Sequence, residues 1–289
     1  MRWSGRFRVP RPGRARALTT TEQISAITHL VAALESLTIE RRAHNAPLVD
    51  WNLVREEFAW APPPVQRVLD FVGRPRVSRS IQIARVAAAA TLLVPSTGRR
   101  TRAAAGSFLA LSSLVVNPRQ HFGTDGSDQV AFTVQGVAAV ARLSERQPKV
   151  VDACLWFIAL QSALSYFAAG VTKLAGPGWR SGEALPGILR TEIYGDEGAY
   201  RLTQRFPELS KYVSHGVLLF ECAFPVIFVA KGRTAPLMLA VSGSFHLVNA
   251  RVMGLSRFVW AFFSTYPAVL YVTRPNRIGT AEGLRGHQG

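Results

Sequence analysis

Apolar residues in this chain are gathered into runs of roughly 15 to 22, close to the ~20 that carry a helix across ~30 Å of hydrocarbon. The clearest are VVDACLWFIALQSALSYFAAGVT (150–172), YVSHGVLLFECAFPVIFVA (212–230), APLMLAVSGSFHLVNA (235–250) and FVWAFFSTYPAVLYVT (258–273). Shorter runs lie at 81–98, 103–116 and 129–143, and a weaker one, carrying His29 and Glu35, at 24–40. That run either spans or lies in the interface. The stretch 41–80 is aromatic, charged and interrupted by proline, which suits interfacial helices and loops. The pattern predicts an all-α, polytopic integral membrane protein with about eight transmembrane helices. It divides the chain into a basic cytoplasmic arm (1–22), a transmembrane domain (23–273) and a short basic cytoplasmic tail (274–289).

The charge pattern fits that reading. The net charge of the 289 residues is +16, nearly all of it arginine, with Lys149, Lys173, Lys211 and Lys231 as the only lysines. Basic residues sit between the apolar runs, which points to the positive-inside rule and a lipid bilayer as partner, not to nucleic acid. With the N-terminus inside, RRTR, RLSERQPK and KGR fall on the cytoplasmic side, opposite Arg119, Arg251 and Arg257. The chain is therefore expected in the cell membrane, multi-pass, with both termini cytoplasmic. The loop at 41–80 runs against this orientation with seven arginines. The N-terminal stretch lacks the apolar core of a cleavable signal peptide. Cys154 and Cys222 each lie in an apolar run and read as small buried hydrophobes; no spacing for zinc, or for any other metal, is present.

Orientation gathers certain polar residues toward the outer face. His121, Asp125 and Asp128 lie in one connection, Lys173 closes the 150–172 run, and His215 opens the next. His246 and Asn249 share a helix face, with Ser242 one turn below. Ionisable groups at membrane depth are costly and usually face a cavity or one another. Lys173 can equally be a snorkelling anchor, Asp125 and Asp128 turn residues, and His246 a core histidine. Glu221, deep in LLFECAFP, requires a partner or a raised pKa. Shared sidedness favours a site containing Lys173, Asp128 and His246, with His121, Asp125, Trp179, His215 and Asn249 around it. Asp128 is expected beside Lys173.

Three blocks carry a resemblance. YFAAGVTKL followed by GW (166–179), SHGVLLFECAFPVIF (214–228) and FHLVNARVMGLSRFVWAFFSTYP (245–267) resemble the vitamin K-dependent gamma-carboxylases and their bacterial relatives, the horizontally transferred transmembrane (HTTM) proteins. The resemblance implies that Lys173 is a base toward a reduced quinone, in a lyase or carboxylase-like modification of a peptide. Apolar burial suits such a role by disfavouring the ammonium. Where the carboxylases carry an Asn-His pair between two early spans, this chain reads GSDQ, with Asp128 in that place. The acidic, Gly-rich stretch looks nearer the single-domain bacterial members. Among them, the sporulation-delaying-protein B type implies the alternative: a non-catalytic factor for maturation or export of a small secreted peptide.

Overall fold

The computed structural model describes residues 12–42, 51–119, 125–229 and 232–274, and every regular element among them is helical. His121, the one expected site residue outside these ranges, is not described. The chain forms two compact units, one of Leu18–Cys154 with Arg257–Thr265, the other of Leu155–Ser256 with the described chain before Leu18 and from Tyr266 on.

The first unit begins in α1 (Arg14–Arg42), which starts well inside the stretch read as an arm. The 41–80 region supplies α2 (Trp51–Val54) and α3 (Pro63–Gly73), short helices as its prolines require. Trp51 ties them together: its ring stacks on Phe58 and its indole N–H donates to Asp70 at 2.9 Å. Pro75 starts α4 (Pro75–Leu93), and the residue before a proline disfavours helix, so α4 stops ahead of Val94-Pro95. RRTR opens α5 (Arg99–Val116), and Arg102 turns back to donate to the carbonyls of Leu92, Val94 and Thr97. Those carbonyls have no partner within α4, so one arginine closes the helix that precedes its own. Asp125 caps α6 (Gly126–Leu143) in a reciprocal box with Asp128. α5 packs along both α4 and α6.

α7 (Pro148–Ala175) carries the chain into the second unit. Gly176-Pro177 ends it, and three short helices follow: α8 (Pro177–Ser181), α9 (Ala184–Leu189) and α10 (Glu197–Arg205). α11 (Pro207–Ala223) tightens into a 3-10 turn through Phe228, at Pro225. α12 (Ala235–Met253) ends at Gly254, whose φ of +72° is the left-handed cap that glycine adopts without penalty. The run 258–273 is not one helix. It breaks into α13 (Ser256–Phe263), mostly in the first unit, and α14 (Tyr266–Val272), in the second. Pro267 forces the break, because its ring would collide with the carbonyl four residues back.

Among the described residues, two stretches, Pro148–Ala175 and Pro207–Phe228, are long and apolar enough to cross a membrane. The other expected spans are helical but diluted by polar groups: Arg85 in α4, Gln135 in α6, and His246, Asn249 and Arg251 in α12.

Candidate functional site

Gly170 sets the site. A Cβ there would come within 2.8 Å of the Cys222 backbone nitrogen and 2.9 Å of the Glu221 Cβ. Glycine thus lets α7 and α11 approach backbone to backbone. Lys173, three residues on, shares that face. Its Nζ donates to both carboxylate oxygens of Glu221 at 2.7 Å. The Glu221 side chain is 3% exposed and that of Lys173 24%. Each had called for a partner; 48 residues apart, they supply one another. The turn at Gly176-Pro177 then folds α8 back, and the Trp179 ring lies 5.5 Å from Nζ, within cation–π range. His215 secures that return. Its Nε2 lies 2.9 Å from the carbonyl oxygen of Arg180, which can only accept, so Nε2 carries the proton.

Beside this ion pair lies a cavity of about 420 Å³, lined by Lys173, Trp179, Val217, Phe245, Asn249 and further, mainly apolar, side chains of α9 to α12. Its polar lining is sparse: Lys173 supplies the only charge, joined by Asn249, Thr203, Ser210 and Ser214. An apolar cleft with a few converging polar groups has the usual chemistry of a small-molecule site.

His246 is not in the lining. It sits behind Phe245, at a ring separation of 5.2 Å, in a buried hydroxyl chain. The Tyr166 hydroxyl lies 2.6 Å from His246 Nε2 and 2.5 Å from Ser242 Oγ, and Ser242 Oγ lies 2.6 Å from the Tyr266 hydroxyl. Tyr166 is seven residues before Lys173, on the same face of α7, and stacks on Phe224 at 4.1 Å.

Asp128 is not the partner of Lys173, a correction to the sequence expectation. Its Oδ1 accepts from Arg257 at 2.8 Å, and Asp125 and Glu35 hold the same guanidinium at 3.3 Å. All four residues belong to the first unit. Asp125 and Asp128 are capping residues of α6, their ordinary turn role. Of the expected set, then, Lys173, Trp179 and Asn249 line the cavity. His246 and His215 support its walls and α8, and the aspartates serve another cluster. Glu221, Tyr166 and Tyr266 had no assigned role in sequence, although Tyr166 opens the lysine block and Tyr266 lies in the STYP segment of the last one.

These features define a class: an all-helical protein built on helices long and apolar enough to cross a membrane, with one apolar cavity described in its C-terminal half. The HTTM domain family matches residues 130–273, and Lys173, Trp179, Glu221, His246 and the cavity all lie within that stretch. No curated protein and no solved structure matches the chain.

Proposed function

We propose that this HTTM-domain protein is a multi-pass membrane protein whose C-terminal unit takes a lipid-soluble molecule of the quinone class into its cavity. There Lys173 serves as proton acceptor or anion partner in the modification of a peptide at the extracytoplasmic face. The observation that carries the reading is the pairing of an apolar cavity with the Lys173–Glu221 ion pair at its wall. Multi-pass insertion draws support from the outward faces. Phe157, Leu160, Leu164, Phe167, Val171 and Leu174 of α7 form an exposed stripe, as do Phe108, Leu111 and Leu114 of α5. Contiguous apolar faces of this kind are rare on proteins that live in water.

The residues fit a reduced quinone. The apolar lining accommodates ring and tail, and Lys173 and Asn249 supply polar partners for its oxygens. The quinone itself would supply the strong base once oxygenated. Lys173 in its ion pair is a proton donor, not a base. It becomes a base only when Glu221 takes one of its protons, giving a neutral amine beside a neutral carboxyl. Out of water the neutral pair competes with the ionic one, since separated charges lose their solvation there. Glu221 is therefore the group that lets Lys173 receive a proton from the ligand. Trp179 covers Nζ and limits water.

The same ion pair favours a second reading. A lysine held by both carboxylate oxygens is also a structural ammonium, as expected of a non-catalytic factor for maturation or export of a small secreted peptide. Co-expression with a neighbouring small precursor, followed by mass spectrometry of the peptide, separates the two. The enzymatic reading expects a mass change that disappears in Lys173→Arg and persists in Lys211→Arg, both proteins being equally abundant in the membrane. A mature but chemically unaltered peptide with either variant would favour the second.

A further inference from the structure

Seven arginines lie in 41–80, and five of them follow α2: Arg55, Arg67, Arg74, Arg76 and Arg79. Arg55 is engaged locally. It donates to both oxygens of Asp70 at 2.7 and 3.1 Å, and the Trp51 indole holds the same carboxylate. The other four are exposed, and among the described residues none has a carboxylate within ion-pairing distance. Asp70 is taken, and Glu56 and Glu57, the remaining acids from α2 to α4, bridge to none of them. Exposed guanidiniums can stay hydrated, so their setting decides what they do.

α3 turns Leu69 and Val72 inward and leaves Val65, Val68 and Phe71 exposed along one stripe, since every third residue shares a helix face. Trp60, 80% exposed, stands just ahead of it. The corner is fixed from behind: Gly73 faces the Trp51 ring so closely that a Cβ would collide with it. Arg67, one turn before Phe71, borders the stripe. Arg74 turns its guanidinium over the Phe71 ring at 5.5 Å, within cation–π range. The outer face of α4 then runs from Arg76 and Arg79 to Ile83, Ala87 and Ala90, all exposed. Guanidinium gives way to hydrocarbon within one turn (~5 Å), close to the depth of a headgroup layer.

From this geometry we infer that the α3–α4 corner is a docking surface for anionic phospholipid headgroups. The apolar stripe and Trp60 sink to the acyl boundary, and Arg67, Arg74, Arg76 and Arg79 take the lipid phosphates, which the guanidinium fork suits. The charge selects the lipid. A zwitterionic headgroup brings its own cation, whereas an anionic one supplies the counter-charge that no carboxylate of the corner gives these arginines. A second copy of the chain is a poor occupant, because a two-fold contact would set the four cations against themselves. The surface lies outside the matched HTTM residues. The inference rests on membrane insertion as proposed and on nothing about the cavity.

The test is native mass spectrometry of full-length protein reconstituted in nanodiscs of equal parts phosphatidylcholine and phosphatidylglycerol, then released in mild detergent. Lipid retained by the wild type should be enriched in phosphatidylglycerol about fivefold over the bath ratio, the effect of one arginine at an anionic surface, or more where several act together. Arg67→Gln, Arg74→Gln, Arg76→Gln and Arg79→Gln together should return it to the bath ratio. Arg76→Gln with Arg79→Gln, which leaves α3 untouched, should lose part of the enrichment and still decides if the fourfold variant does not fold. Arg201→Gln with Arg205→Gln, on α10, should keep it. Retention at the bath ratio by the wild type, an enrichment unmoved by the four substitutions, or an equal fall in the α10 variant would overturn the inference. So would a dimer that the four substitutions dissolve without any lipid preference, which would make the stripe a contact between copies. Protein that never enters the nanodiscs would contradict insertion itself, and this inference with it.

Discussion

The two units solve opposite problems. In the first, α1 and α4 to α6 turn charge and amide groups inward: Glu22, Arg85, Arg102, Gln135 and Arg142 are all nearly inaccessible. In the second, the interior is aromatic and aliphatic, with a hydroxyl chain around Tyr166, one ion pair at Lys173, and an open cavity. Both are made of helices with apolar exteriors, so composition alone does not distinguish them. The difference teaches that a polar interior which pairs its own ends holds a structure, whereas an apolar interior with a single charge at its wall leaves room for a ligand.

The largest expected effect breaks the polar interior. Glu22→Ala removes the buried counter-charge of Arg142, leaving it only the half-buried Glu145 at 3.2 Å, and should cost about 3 kcal/mol, read as a fall in Tm and in the yield of folded protein. A loss under about 1 kcal/mol would mean the Glu22–Arg142 pair is hydrated, and the contrast between the units would weaken. Next comes the ion pair of the second unit. Glu221→Leu strands Lys173, which is partly exposed, and a smaller loss of about 1–3 kcal/mol is expected. Joining it to Lys173→Met should restore most of that loss, since removing both partners is far cheaper than removing one. Gly170→Ala forces α7 and α11 apart and should cost about 1–3 kcal/mol. If the close approach sets the Lys173–Glu221 contact, a double-mutant cycle should find that coupling reduced in the alanine background.

The smallest effect lies outside both interiors. The Asp70 carboxyl is held below its usual range by the hydrogen bond from Arg55, and then by that from Trp51. A depressed carboxyl contributes stability that is full above its unfolded pKa and is lost as pH falls through the folded value. The fluorescence of Trp51 should therefore be steady above about pH 4 and change only below it, the ordinary carboxyl range being about 3.9. In Asp70→Asn, in a background with the other tryptophans replaced, that acid transition should vanish.

Much of the fold was legible because apolar runs of about 15 residues or more have few uses besides a helix. The longer helices fall on the expected runs, and the prolines at 75, 95, 177 and 267 mark where helices begin or end. What escaped is pairing between distant segments. Periodicity puts Lys173 and Glu221 on helices but says nothing about which helices touch; that depended on Gly170. Arg102 and Arg142 counted as loop charges in the orientation argument, yet they are 3% and 5% exposed and serve partners inside the protein. Asp128 was drawn toward Lys173 by shared sidedness and the cost of an unpaired charge at membrane depth, when its local spacing to Asp125 already described a helix cap. Arg85 gave no signal at all, because an arginine in an apolar run reads as an interruption until its neighbours are known.

Binding of a lipid-soluble quinone in the cavity beside Lys173, as proposed above, can be measured directly. The direct measurement is retention: protein loaded in detergent with an isoprenoid naphthoquinone, passed through gel filtration, and assayed for bound quinone by organic extraction. Wild type should retain the quinone near one equivalent, and Val252→Trp, which fills the cavity from α12, a helix bearing neither Lys173 nor Glu221, should lose it while keeping its Tm. No retention by the wild type, or equal retention by both proteins, would contradict the account.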